Sequence, residues 1–183
     1  MRHLPEIEPG TCIGPYLVGA ELGRGGIAVV YQAKHRTAPE LGRLAIKVAF
    51  QTNQQRDKRF MREFERLRVI AIPGVARVYE AGAEDDLLWY VMDEVPGLSM
   101  DRQIAAGKTV SERVERAIEI GARLMDVLSG IHRLGFIHRD IKPSNLLVDR
   151  NRNVHVLDFG LVRLKERGDT LTRTGRLVGT VAF

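Results

Sequence analysis

The segment His138-Arg139-Asp140-Ile141-Lys142-Pro143-Ser144-Asn145 is followed, thirteen residues after Asn145, by Asp158-Phe159-Gly160. It offers a carboxylate at Asp140, an ammonium group two residues later at Lys142 and an amide at Asn145. Asp158 adds a second carboxylate at the end of a short apolar run that predicts a strand. Carboxylate and amide oxygens suit a hard divalent cation, and an ammonium group neutralises phosphate. The pattern therefore indicates a polar cluster that holds magnesium and a phosphoryl group during its transfer.

Residues 16–95 have the pattern of an antiparallel sheet with one helix. Five strand-like runs are separated by Gly, Pro and polar residues, which is typical of strands joined by turns. The runs are Tyr16–Val18, Val29–Ala33, Leu44–Ala49, Ala76–Glu80 and Leu87–Met92. Between the third and the fourth run, apolar residues recur at intervals of four, three and four, which predicts an amphipathic helix over 57–70: Phe60, Phe64, Leu67 and Ala71.

Residues 96–183 begin with a helical pattern. Pro96-Gly97 interrupts the preceding strand and predicts a linker. A helix is predicted over 111–134, ended by Gly135, because apolar residues fall on one of its faces: Val114, Ala117, Gly121, Leu124, Leu128 and Ile131. Two short apolar runs, 146–148 and 154–157, then flank a polar segment and predict a hairpin.

Composition excludes several classes of protein. The 183 residues are 44% hydrophobic and 28% charged, as in an ordinary globular protein. The net charge of +5 comes from scattered basic residues without a basic tract, so we expect no nucleic-acid partner. Cys12 is the single cysteine, which favours a reducing cytoplasm over a disulfide framework. Because no long apolar run and no signal-peptide pattern occur, we expect a cytoplasmic location and no membrane anchor in this stretch.

The motifs of the chain resemble those of protein kinases, in particular the bacterial serine/threonine kinases of the eukaryotic-like (Hanks) type. The resemblance implies an α+β fold with two lobes. Residues 1–15, which hold three prolines, would be a loose lead-in. Residues 16–95 would be the small lobe, with a five-stranded antiparallel sheet and helix C, and residues 96–183 would be the first part of the helical large lobe.

The resemblance implies ATP and Mg²⁺ as cofactors and assigns a role to each polar residue of the opening motif. Asp140 would orient the hydroxyl of a Ser or Thr in a protein substrate and accept its proton. Lys142 would neutralise the γ-phosphate, and this lysine favours Ser and Thr over Tyr as acceptors. Asn145 and Asp158 would hold magnesium.

A second catalytic pair comes from residues 16–95. Lys47 lies on a strand with apolar neighbours, and Glu63 borders the apolar face of the predicted helix, since it falls between Phe60 and Leu67. The family resemblance implies that Lys47 and Glu63 pair and that the lysine holds the α- and β-phosphates of ATP. The same helix is rich in arginine, which we interpret as a solvated face, with a phosphorylated loop as an alternative partner.

A glycine cluster and a set of apolar residues complete the nucleotide site that the resemblance implies. Gly23, Gly25 and Gly26 let backbone approach phosphate oxygens and permit positive φ, although a plain hairpin turn is the alternative. Ala28 stands where the family has a third glycine, so we expect a stiffer cover and intact binding. Met92 would be the gatekeeper, with backbone groups of Asp93 and Val95 at the adenine, and four residues would sandwich the ring: Leu22, Val30, Ala45 and Leu147. We expect these four to be buried with or without a nucleotide.

The last residues, Leu161–Phe183, resemble an activation segment. Thr170, Thr172 and Thr174 are candidate phosphorylation sites, with Arg139 as a candidate partner, and an unregulated loop is the alternative. Thr180 matches a family threonine that lies near the catalytic base. Autophosphorylation is expected of the enzyme, and a homodimer is left open as the assembly in which it occurs. Four more residues match the regulatory spine of the family and are expected to be buried: Leu67, Val78, His138 and Phe159.

Two other classes of function stay open. A catalytically silent ATP-binding scaffold would be expected to lack a catalytic residue, and none is lacking here. A small-molecule phosphotransferase of related fold would not be expected to have Lys142-Pro143 and the Thr-rich segment. Because the chain does not include the Ala/Ser-Pro-Glu motif and later helices of the family, we expect a fragment of a longer enzyme, marginally stable and poorly active by itself.

Overall fold

The computed structural model describes residues 4–51, 54–159 and 163–164. These residues form two compact units. The first comprises the described residues of 1–69 together with 76–94, and the second comprises 70–75 together with the described residues of 95–183. The main division therefore falls between residues 94 and 95, next to the boundary predicted at residue 95. The short segment 70–75 belongs to the second unit because its contacts are there.

The first unit contains an antiparallel sheet and one helix. Its strands are β1 (Cys12–Ile13), β2 (Tyr16–Arg24), β3 (Val29–His35), β4 (Leu44–Phe50), β5 (Val78–Glu84) and β6 (Leu87–Asp93), and its helix is α1 (Gln54–Arg68). The strands form one sheet in the order β1-β2-β3-β4-β6-β5. The α+β fold class is confirmed, and each of the five predicted strands is present.

The two faces of this sheet differ, and the difference follows from the period of two along each strand. On β3, Val29, Tyr31 and Ala33 are buried, whereas the alternate residues are less so. The buried set joins Leu44, Ile46 and Val48 of β4 in the core of the first unit. The residues between them point to the opposite face, which is the face that contains Lys47.

The prediction of a loose lead-in needs correction. Residues Cys12–Ile13 pair with Tyr16 and Leu17 as β1, which adds a sixth strand to the five predicted. The hydroxyl of Tyr31 donates to the carbonyl of Pro5 at 2.8 Å and accepts from the amide of Ile7 at 3.2 Å. Leu4 and Ile7 pack against the core. The prolines gave a loop-like pattern, but a buried tyrosine hydroxyl needs a partner, and the lead-in supplies it.

Helix α1 begins and ends slightly before the predicted range. Phe60, Phe64 and Leu67 are buried, as predicted from their spacing, and so is Glu63. The helix ends at Arg68, so Ala71 lies beyond it and does not belong to its apolar face. The helix contacts β5 and β6.

The second unit contains two helices and small sheets. Its elements are β7 (Leu98–Ser99), α2 (Met100–Ala105), α3 (Val110–Arg133), β8 (Phe136–Ile137), β9 (Leu146–Val148), β10 (Val154–Val156) and β11 (Arg163–Leu164). Strands β10, β9 and β7 form one sheet, and β11 pairs with β8. Strands β9 and β10 are the predicted hairpin. They pack through Val148 and Val154 against Ile120 of α3.

The ends of α3 follow from its sequence. Thr109 caps the first turn by accepting a hydrogen bond from the amide of Glu112 at 3.1 Å. Gly135, with φ of 81°, follows the last turn, as predicted. The predicted apolar face is only partly correct, because Ile131 is buried but Val114 is 52% exposed. Among the described residues, no helix is long and apolar enough to cross a membrane.

Trp89 of β6 lies in the core of the first unit and restricts the residues around it. Its side chain is buried and packs edge-on against Tyr16, with ring centroids 5.9 Å apart. A Cβ atom at Gly82 on the adjacent strand would overlap the indole ring, and one at Gly14 would lie 3.0 Å from it. Two glycines therefore make the space that the indole ring fills.

Replacing Gly82 with Ala tests this packing. We expect the Gly82→Ala variant to lose about 1–3 kcal/mol of unfolding free energy, because the added methyl group must displace a buried ring. The matched variant is Gly121→Ala in α3, where a Cβ atom meets nothing within 4 Å. That variant should gain up to about 1 kcal/mol, since alanine is the better helix former. Urea denaturation measures both, and equal stability of the two variants would contradict the packing described.

Candidate active site

One face of the first sheet brings together four of the sequence-predicted nucleotide residues: Val30, Ala45, Lys47 and Met92. Across strands β3, β4 and β6, Val30 lies opposite Lys47, which lies opposite Tyr90. The next row on the same face is Gln32, Ala45 and Met92. These two rows combine apolar side chains with the cation of Lys47, a composition that suits a flat ring and a phosphate group.

Lys47 and Glu63 form a buried ion pair on that face. The Lys47 Nζ lies 2.7 Å from the Glu63 Oε1, and the two side chains are only 13% and 4% exposed. The Tyr90 hydroxyl donates to the same Oε1 at 2.9 Å, and the ammonium group lies 5.7 Å from the centroid of the Tyr90 ring. Phe60 and Phe64 pack on that ring with centroids 5.2 and 6.0 Å away. Sequence reasoning missed Tyr90, although a tyrosine in an apolar strand needs a polar partner for its hydroxyl.

The glycine turn joins β2 and β3. The Gly25 amide donates to the carbonyl of Ala28 at 2.9 Å, which closes the turn. A Cβ atom at Gly23 or Gly26 would meet no atom within 4 Å, so the backbone there is open to an incoming group. The positive φ that these glycines would permit is not used, because the positive-φ glycines of the described residues lie elsewhere in the chain. Ala28, which stands where the family has a third glycine, is buried.

The expectation that all four ring-sandwich residues are buried is wrong. Ala45 is 2% exposed, but Leu22 is 46% exposed. Val30 and Leu147 are partly exposed, as are Met92, Asp93 and Val95. Apolar side chains that stay partly exposed in the folded protein leave an apolar surface that a ligand can cover. Packing of the core by itself does not require such a surface.

In the second unit, Asp140 is the centre of a hydrogen-bond network. Its Oδ2 accepts from the Lys142 Nζ at 2.8 Å and from the Asn145 Nδ2 at 3.0 Å. The same amide nitrogen donates to the Asp140 carbonyl at 2.9 Å. Asp140 and Asn145 are 8% and 7% exposed, whereas the Lys142 side chain is 33% exposed. The three residue types of the opening motif therefore meet in one loop, which a turn of 3₁₀ helix at Pro143–Asn145 closes.

His138 connects this loop to the segment that precedes Asp158. Its Nδ1 accepts from the Asp140 amide at 3.3 Å, so its Nε2 carries the proton and donates to the Leu157 carbonyl at 2.9 Å. The ring meets Phe159 edge-on, with centroids 4.9 Å apart. The Leu157 amide in turn donates to the Asn145 carbonyl at 2.8 Å. These bonds fix the backbone on both sides of the loop that contains Asp140.

Asp158 and Arg139 have unusual backbone conformations. Their φ angles are 59° and 68°, a region that non-glycine residues rarely adopt. Strain of this kind costs about 1–3 kcal/mol and is concentrated at functional sites. Asp158 is exposed, so its carboxylate is accessible to a ligand.

The donor set of this loop suits magnesium. Asn145 uses its Nδ2 for Asp140, which leaves its Oδ1 as a hard oxygen ligand. Asp158 offers an exposed carboxylate. Magnesium is commonly held by one or two protein oxygens, with substrate phosphates and water completing its octahedron. Within the described ranges, no group of three or more His, Cys, Asp or Glu side chains could hold a metal.

The structure tests the burial of the four residues that match the regulatory spine, but it does not describe the candidate phosphorylation sites. Leu67, Val78, His138 and Phe159 are all buried, which confirms the burial expected of them. Gly160 and the candidate phosphorylation sites Thr170, Thr172 and Thr174 lie outside the described residues, as does Thr180.

The buried ion pair of Lys47 and Glu63 can be compared with an exposed ion pair in the same unit. A double-mutant cycle on Lys47→Met and Glu63→Gln should give a coupling energy of about 1–3 kcal/mol, because removing one partner leaves the other buried without its counter-charge. The control is Glu21→Gln with Arg24→Met, a pair whose side chains are both 38% exposed. That cycle should give no more than about 1 kcal/mol. Chemical denaturation measures both, and equal couplings would contradict the role of burial.

Comparison with known proteins agrees with this geometry. Residues 16–183 match the family model described as protein kinase domain. The chain is 35% identical over 188 residues to a probable serine/threonine-protein kinase, pknA2, of Bifidobacterium longum, covering 98% of this chain and 24% of that protein. It is 32% identical to the serine/threonine-protein kinase PknB of Mycolicibacterium smegmatis, covering 92% and 28% respectively. For the serine/threonine-protein kinase PrkC of Bacillus subtilis, the identity is 29%, with coverage of 93% and 26%.

The chain is much shorter than these relatives. The chain spans about a quarter of the length of each of these three curated kinases. Nearly all of its own length is covered by the family model. The polar loop around Asp140 and the buried ion pair of Lys47 therefore lie within a sequence that matches one family throughout. The chain belongs to the protein kinase domain family.

Proposed function

We propose that the protein containing this chain is a serine/threonine protein kinase that transfers the γ-phosphate of ATP to Ser and Thr hydroxyls of proteins. The observation that supports this most directly is the network in which the Oδ2 of Asp140 accepts from both Lys142 and Asn145. The relatives are named serine/threonine-protein kinases. Lys142 beside the carboxylate favours Ser and Thr as acceptors over Tyr.

The proposed chemistry uses Asp140 as the proton acceptor. The substrate hydroxyl oxygen attacks the γ-phosphorus, the new oxygen–phosphorus bond forms, and the bond to the bridging oxygen of ADP breaks. The hydroxyl proton passes to the Asp140 carboxylate, which its bonds to Lys142 and Asn145 hold in one orientation. Lys142 stabilises the negative charge on the phosphoryl oxygens during transfer.

The remaining residues bind and orient ATP in this proposal. Lys47, fixed by Glu63, would contact the α- and β-phosphates, and the backbone of Gly23, Gly25 and Gly26 would cover them. Adenine would lie against apolar side chains and meet backbone groups of Asp93 and Val95; the side chains are Leu22, Val30, Ala45, Met92 and Leu147. Magnesium, held by Asn145 and Asp158, would neutralise phosphate charge when bound.

The cellular location of the kinase domain and its assembly are also part of the proposal. We expect the kinase domain to lie in the cytoplasm, where ATP and protein substrates occur, and the exposed free thiol of Cys12 is compatible with a reducing compartment. Autophosphorylation is the expected route of activation, and transfer between the two copies of a homodimer is one way in which it can occur. Mixing wild-type protein with an Asp140→Asn chain tests it, because phosphate on the inactive chain must come from another molecule.

Replacing the proposed base separates catalysis from binding. In the full-length protein, Asp140→Asn should reduce phosphate transfer from labelled ATP by about 10²–10⁴-fold, because the amide cannot accept the proton. Its affinity for ATP, measured by calorimetry, should stay within about twofold, since Asp140 makes no contact with the nucleotide base in this proposal. Asp126→Asn, an exposed carboxylate of α3, is the matched control and should transfer phosphate normally. Equal incorporation by wild type and Asp140→Asn would remove Asp140 from this role, and ATP binding without transfer by wild type would favour a scaffold.

Removal of a proposed metal ligand should change the magnesium requirement. Asp158→Asn should raise the Mg²⁺ concentration that gives half-maximal activity by at least about tenfold, because a neutral amide replaces a charged ligand. Titration of activity with Mg²⁺ at constant free ATP measures the shift. An unchanged half-maximal concentration would contradict the assignment of Asp158, while Asp126→Asn again serves as the control.

A further inference from the structure

Asp93 is the last residue of β6 and Glu94 follows it, and both of these acidic residues are anchored. The Asp93 amide donates to the Arg77 carbonyl at 2.9 Å. The Asp93 carboxylate accepts from the Arg77 amide at 3.1 Å and from the Tyr79 hydroxyl at 2.6 Å. The bond to Asp93, with burial and the charge of that carboxylate, raises the pKa of Tyr79. Asp93 is therefore tied to strand β5 by backbone and side chain together.

Glu94 is anchored to the opposite neighbour. Its amide donates to the Arg43 carbonyl at 3.0 Å. Its carboxylate accepts two bonds from the Arg43 guanidinium, at 2.7 and 3.1 Å, and one from the Gln32 Nε2 at 3.3 Å. The Glu94 side chain is only 8% exposed, whereas that of Arg43 is 68% exposed. A carboxylate this buried needs its partners, and a two-pronged guanidinium bond also fixes its direction.

The two anchors act on the same short piece of backbone. Consecutive side chains of an extended strand point to opposite sides, so Asp93 reaches Tyr79 while Glu94 reaches Arg43. The peptide between the two residues is thus restrained from both sides. A backbone group that recognises a ligand works best when its direction is set before binding, because no ordering is then required at the moment of binding.

We propose that Arg43 and Tyr79 are positioning residues for nucleotide recognition: through Glu94 and Asp93 they orient the backbone that meets the adenine edge. This inference rests on the proposed function, in which that backbone binds ATP. Neither side chain touches the nucleotide in the proposal. Arg43, Gln32 and Glu94 also line a cavity of about 760 Å³, so the ion pair borders open space and not the core.

A purely structural role would have different consequences. If the two residues only stabilised the fold, their removal would lower the free energy of unfolding without a preference for one nucleotide base. If they orient backbone groups, their removal should weaken binding of the base that those groups fit. The adenine and guanine edges present different donors and acceptors, so the ratio of ATP to GTP affinity separates the two roles.

The experiment uses Arg43→Met and Tyr79→Phe in the full-length protein, at a temperature where both variants are folded. Each should raise the dissociation constant for ATP about five- to tenfold, as expected for one weakened hydrogen-bond network, and that for GTP less than about twofold. The turnover number at saturating ATP should be unchanged, and Arg43→Lys should recover part of the affinity. Arg152→Met is the matched control, because it removes another exposed arginine that pairs with a glutamate, Glu119, in the second unit.

Each result has one interpretation. A fall in the ratio of ATP to GTP affinity in both variants, absent in Arg152→Met, supports the proposal. Unchanged ATP affinity, or equal weakening of ATP and GTP, overturns it and leaves the proposed kinase function intact. Failure of the wild-type protein to bind ATP at all would overturn the proposed function itself and this inference with it.

Discussion

The ion pair between Lys47 and Glu63 is the interaction that the first unit depends on most. A charge removed from water is costly unless it is matched, so Lys47 can lie on an apolar sheet face only if α1 brings Glu63 to it. The helix must then pack on that face with one orientation about its own axis and one position along that axis. The Tyr90 hydroxyl donates to Glu63, and Phe60 and Phe64 pack on the Tyr90 ring. The ion pair therefore fixes the position of the helix and the position of the Lys47 ammonium group together.

Sequence patterns predicted the central elements well and the edges poorly. The central strand β4 is an apolar run with one lysine, and α1 shows a clear period, so both were predictable from local spacing. Strand β1 was missed because a run of two residues, Cys12–Ile13, is too short to show a period. The exposure of Val114 was also missed, since a helical pattern shows which residues share a face but not which partner covers that face.

In the candidate site, too, local sequence patterns identified contacts between neighbouring residues and missed contacts between distant ones. The network of Asp140, Lys142 and Asn145 joins residues within one short loop. The spacing of these residues in the sequence was enough to identify them as a candidate cluster. The bond between Arg43 and Glu94 joins residues far apart in the chain, and no local pattern indicates it. Candidate ring-lining residues such as Leu22 were recognised by resemblance, whereas their exposure depends on which side chains cover them in the folded sheet, which spacing does not encode.

Trp89 is the single tryptophan of the chain, and it lies wholly within the first unit. Its Nε1 is buried and has no hydrogen-bond partner among the described residues, and the indole packs in the apolar core of the unit. Intrinsic fluorescence excited at the red edge of absorption, where tyrosine contributes little, will consequently report on the melting of this unit alone. The second unit, which has no tryptophan, is invisible to that signal, so a comparison with circular dichroism of its helices would reveal whether the two units unfold together.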